Sequence, residues 1–111
     1  SLQALLLMNE SEYFKAAKLM ARDLLDKSLD RREALKLAYE KTTFMEASNS
    51  RLDFMEQTLE EFRDQYVANS ELRASLAGDL DVVGVDEQSN LGAWTMLAHS
   101  LLNLELVKNR R

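Results

Sequence analysis

The fold of this chain turns on the stretch QSNLGAWTMLAHSLLNL, residues 88–104. The run carries no formal charge, although 30% of the chain is Asp, Glu, Lys or Arg. It also holds the single Trp, Trp94, and the single His, His99. On a helix of about 3.6 residues per turn, Leu91, Ala93, Trp94, Met96, Leu97, Ala98, Leu101, Leu102 and Leu104 fall on every side of the axis. A helix with no polar face is enclosed on all sides, by protein or by lipid. A membrane span needs about 20 predominantly apolar residues. This run is shorter and is interrupted by Asn90, His99, Ser100 and Asn103. The stretch is therefore expected to be the buried central helix of a helical domain, not a membrane-spanning one.

Composition suits that architecture. Pro is absent, Gly occurs three times, and 46% of the residues are hydrophobic. Ala, Leu, Glu, Lys, Arg and Met, the strong helix formers, dominate. The expectation is an all-α fold, a bundle of five to six helices around a buried C-terminal helix. Residues 1–111 form one helical domain, or the C-terminal portion of a longer one; a start at Ser1 without an initiator Met points to a trimmed segment. A net charge of −5 argues against binding a nucleic-acid backbone, which calls for a clustered basic surface. The one basic cluster, Lys108, Arg110 and Arg111, sits at the very end. With no cysteine, disulfides, thiolate zinc sites, iron–sulfur clusters and c-type haem attachment are excluded for this stretch of chain.

Reading outward from the central run, residues 2–8 (LQALLLM) are apolar on several sides and need covering. Ser11 offers a helix cap, and Phe14, Ala17, Ala21, Leu24 and Leu25 mark the inner face of a helix running to about Lys27. Asp23 and Lys27 form a favourable i,i+4 pair on its outside. Asp30 with Glu33 reads as a capping box for a helix reaching about Lys41. The next helix starts either at a Thr43–Glu46 capping box or at Ser48. In both cases Ser48, Leu52, Met55, Leu59, Phe62 and Tyr66 make a seam that faces another helix. Asn69 or Ser70 caps a short helix that Gly78 stops. The loop DLDVVGVDE, residues 79–87, is expected to tuck Val82, Val83 and Val85 under neighbouring helices, with Asp86 capping the central helix. Asn103 is expected to cap a helix end or bond a neighbouring loop.

No catalytic, metal or cofactor motif stands out. Asp79, Asp81 and Gly84 match three positions of an EF-hand loop, but Val83 and Asn90 occupy positions where ligands are required. Asp53, Glu56, Glu60 and Asp64 form an acidic stripe without the Glu-x-x-His of di-iron bundles, and read as a solvated face. His99 lacks a nucleophile and an orienting partner within helical reach; Ser100 points elsewhere. It is expected to be half-buried and bonded to a backbone carbonyl. No catalytic residue, metal ligand or cofactor is assigned. The candidate ligand-binding residues are Trp94, Met96, His99 and Tyr39, as the lining of a small-molecule or redox-associated pocket. The competing expectation is a non-catalytic structural or interaction domain, partnered by other parts of a parent protein or by a second copy.

Three segments resemble one family: Leu2, Gln3, Ala4 and Leu5 followed by Asn9; the Thr43–Glu46 helix start; and above all LGAWTMLAHSLLNLELV, residues 91–107. They are similar to the C-terminal part of the planctomycete-specific domain one. The matching positions are Leu91, Ala93, Trp94, Leu101, Leu102, Asn103 and Glu105. The resemblance implies a domain of unassigned function that closes large envelope-associated proteins of planctomycetes. It implies a periplasmic or envelope location and a haem carried on a separate cytochrome-c-like module. It implies no reaction and no functional residue.

Overall fold

The computed structural model describes residues 10–77 and 82–108, with backbone alone for residues 10, 77 and 105–108. The described residues form five α-helices and no strand: α1 (Glu10–Asp26), α2 (Arg31–Thr43), α3 (Asn49–Ala68), α4 (Ser70–Ala77) and α5 (Val85–Lys108). The apolar run 2–8 and the stop at Gly78 lie outside them.

The uncharged stretch is the hub. Every other helix packs on α5, and α1 and α3 flank it most extensively. Residues 91–95 are all buried. Five consecutive helical residues pass once round the axis, so this part of α5 is enclosed on every side. Trp94 is only 7% exposed. Farther along, enclosure ends: Leu101 is buried, while Ser100, Asn103 and Leu104 face solvent. The all-round burial expected from the sequence thus holds for the first half of the stretch and narrows to one face in the second.

α1 buries Tyr13, Ala17, Ala21 and Leu24. The small Ala17 and Ala21 are both wholly enclosed. Tyr13 takes the inward place expected for Phe14, and Phe14 and Leu25 are only half-buried. Ser11 lies within the helix, so it is not the cap. Asp23 pairs with Lys27 at 3.5 Å, as expected, and also with Lys41 of α2 at 3.4 Å. Those two cations, Lys41 foremost, hold the Asp23 carboxyl below its ordinary value.

α2 starts as its capping residues dictate: Asp30 Oδ1 accepts from the Glu33 N–H at 3.1 Å. It runs past Lys41 to Thr43, whose hydroxyl donates to Tyr39 O at 2.7 Å. Thr43 thereby closes α2 and does not open α3. Ser48 is the cap of α3, accepting from the Arg51 N–H at 3.1 Å. The α3 seam then buries Leu52, Met55, Leu59 and Tyr66, with Phe62 half-buried and Ser48 exposed. Tyr66 lies across Gly92 of α5, and burial pushes its phenol above the usual value.

Asn69 caps α4, its side-chain oxygen accepting from the N–H groups of Glu71 at 3.0 Å and Leu72 at 3.2 Å. Arg73 donates back to Tyr66 O and Val67 O at 2.7 and 2.6 Å, satisfying carbonyls at the end of α3. Lys18 of α1 reaches Leu76 O at 3.2 Å and ties α4 to α1. Ahead of α5, Gly84 has φ 93°, a left-handed conformation suited to glycine. Its carbonyl accepts from the Gln88 N–H at 3.1 Å. Gly84 therefore holds the start of α5, and Asp86, expected to cap it, sits inside the first turn and pairs with Arg63 at 3.2 Å. Of the three valines, only Val82 packs on the core; Val83 and Val85 are exposed.

Candidate functional site

The four residues selected from the sequence do not converge. Trp94 and His99 are five residues apart on one helix, about 140° around its axis. Met96 and His99, three apart, share a face. With Ser11 and Phe14 they line an open, shallow hollow of about 480 Å³ between α1 and α5. The Phe14 ring stands 6.0 Å from the imidazole, tilted by 59°. His99 Nδ1 lies 3.2 Å from the side-chain amide of Asn103. His99 itself is half-buried, as expected. Asn103 is correspondingly no cap, because α5 continues to Lys108. Ser100 donates to Met96 O at 2.9 Å, a bond within its own helix turn. Tyr39 is buried on α2, with the Arg51 guanidinium 6.0 Å from its ring centroid, and lines neither this hollow nor that of Trp94.

Trp94 instead borders a hollow of about 180 Å³ with Leu24, Leu25, Leu29, Arg31 and Asn90. Leu25 and Asn90 also form part of a neighbouring hollow of about 320 Å³, which Arg22, Asp26, Val82, Glu87 and Leu91 complete. The two share a wall along the α1–α5 seam. Asn90 is fixed there by Arg63, whose Nε donates to Asn90 Oδ1 at 2.9 Å. Arg22 Nε is 3.6 Å from Asp26, while Arg22 Nη1 is buried with no partner in the protein. Nothing in the sequence linked residue 22 to residue 90. The only signal was Asn90 itself, a polar residue inside an otherwise enclosed run.

The acidic stripe on α3 is a landing strip for α2, not simply a solvated face. Arg32 lies 2.9 Å from Asp53 and 3.4 Å from Glu56, and Arg31 lies 3.1 Å from Glu60. The hydrogen bond to Asp53 raises the Arg32 pKa further above its already high value. Solvent screens pairs as exposed as these, so they orient α2 more than they stabilise it. Among the described residues no three His, Asp or Glu side chains are grouped to hold a metal ion. Asp79 and Asp81 lie outside those residues. No described helix is long and apolar enough to cross a membrane. No protein-family profile, curated protein or solved structure matches the chain.

Proposed function

We propose that this chain is a non-catalytic helical interaction domain that docks through apolar side chains its own core leaves unused. Phe44 carries the reading. It is 83% exposed and sits in the left-handed region with φ 61°. That conformation costs an L-residue with a bulky side chain roughly 1–2 kcal/mol. Glycine would occupy the position without strain. Within the chain, the phenyl ring returns no burial to offset the cost, whereas against a partner it would. Met45 beside it is also exposed, and Phe54 on α3 is 62% exposed.

The likeness of residues 91–107 to the planctomycete-specific domain one supports the same role, since that domain closes large envelope proteins and carries no known reaction. The partner is then a second copy or another part of a parent protein. Phe44→Gly tests this. It should stabilise the isolated chain by about 1 kcal/mol and weaken association measured by sedimentation velocity. Amides 43–46 should also exchange more slowly in the whole gene product than in this chain. A wild type that stays monomeric, with amides 43–46 equally unprotected in both settings, would reject the proposal.

A further inference from the structure

The open hollow of about 480 Å³ between the first turns of α1 and the second half of α5 is walled by Phe14 and Met96, together with Ser11 and His99. Phe14 and Met96 pack against the core yet stay only half-buried, so each keeps apolar surface for a further neighbour. An apolar cavity of about 150 Å³ holds a benzene molecule, so this hollow has room for roughly two or three large apolar side chains.

The direction of the chain says where those side chains come from. α1 and α5 run antiparallel: Phe14 meets His99, whereas Leu25, about three turns farther along α1, shares a hollow with Asn90 and Leu91. Followed back from Phe14, the chain passes Ser11, which also lines the hollow, and within three residues reaches Met8. Residues 2–8 (LQALLLM) hold four leucines and a methionine and carry no charged side chain. An apolar run that needs covering and an apolar hollow that needs filling therefore adjoin on one chain. Other stretches outside the described residues suit the hollow poorly. Residues 78–81 (GDLD) contain two Asp and residues 109–111 (NRR) two Arg, and an unpaired charge is costly against apolar walls.

We propose that the hollow is the seat of the chain's own residues 2–8, whose leucine side chains enter between Phe14 and Met96 and cover the open side of α5. The three residues from Met8 to Ser11 span up to about 10 Å, enough to turn the run onto the hollow. A tether this short gives the run an effective concentration in the mM range, so it outcompetes the same run of a second copy in dilute solution. Met96 and His99, selected from the sequence as ligand lining, then receive a segment of their own chain in place of a small molecule. None of these residues takes part in the docking assigned to Phe44, so the two proposals stand or fall separately.

The test is carried out on the full chain with methyl-labelled Leu and Met, by NMR. Leucine methyls of residues 2–8 should show NOEs to the Met96 methyl and the Phe14 ring, unchanged on dilution. Replacing Leu5, Leu6 and Leu7 together with Ser should abolish those NOEs and shift the His99 ring resonances. It should also raise the fluorescence of a dye that binds exposed apolar surface, while circular dichroism reports whether the variant is folded. Absence of the NOEs in the wild type overturns the proposal whatever the variant does. So do NOEs found only between differently labelled copies, which would seat a second copy in the hollow, and Met96 and His99 resonances unmoved in the folded variant.

Discussion

Replacing Gly92 with Ala tests the packing on which the bundle is built. In an unobstructed helix interior that change stabilises by about 1 kcal/mol, because Ala loses less backbone freedom and has the higher helix propensity. At Gly92 the new Cβ would stand 2.5 Å from Cε2 and 2.6 Å from Cγ of Tyr66, with Cδ2 closer still. Carbon atoms in contact prefer about 3.5–4.0 Å, so the ring must shift by roughly 1 Å or α3 must move away from α5. The ring has little room, since Tyr66 is 5% exposed. Overpacking of this kind costs about 1–3 kcal/mol, which outweighs the propensity gain. We therefore expect Gly92→Ala to lower stability by about 1 kcal/mol, measured by urea unfolding followed at 222 nm. In a Tyr66→Leu background the ring is gone and the same change should no longer destabilise, giving a coupling of about 1–2 kcal/mol. A rise in the unfolding midpoint for Gly92→Ala in the wild-type background would refute the close crossing of α3 and α5.

Further outcomes follow from the same structure. Thr95 is fully buried and its Oγ1 has no hydrogen-bond partner; Thr95→Val removes that hydroxyl at nearly constant shape and should raise stability by about 1 kcal/mol, whereas a loss in urea unfolding would show the hydroxyl is satisfied. Asp30→Ala deletes the α2 cap and should cost about 1 kcal/mol, with Asp30→Asn retaining most of the stability; equal losses in thermal melts would argue against the capping bond. Burial raises the Tyr66 pKa above 10.0, so the folded protein holds this proton more tightly than the unfolded chain does. That contribution is complete below about pH 10 and is lost as pH rises from there through the folded pKa. Tyr66→Phe should therefore lose less stability than wild type on that alkaline limb, and parallel curves would contradict the assignment.

Much of this fold is written locally in the chain. The helix-forming composition and the lack of Pro made it all-α. Asp30, Ser48 and Asn69 were legible as caps because each bond closes within three residues. The missing charges between residues 88 and 104 marked the central helix before any contact was known. Where two local signals competed, the tertiary structure decided. Thr43 bonds back to Tyr39, leaving Ser48 to start α3, and Tyr13 turns inward where Phe14 was expected, because adjacent aromatic residues offer a periodicity no reason to choose.

The candidate site was barely legible at all. Met96 and His99 share a hollow because three residues of helix place them on one face, but Trp94 and Tyr39 belong elsewhere. The meeting of Arg22 with Asn90, the seating of Arg31 and Arg32 on the acidic stripe, and the crossing of Tyr66 over Gly92 depend on how each helix is rotated about its axis and where it crosses its neighbour. A 3.6-residue period specifies which residues share a face. It does not specify what that face meets, because side chains distant in sequence settle that only when the helices pack.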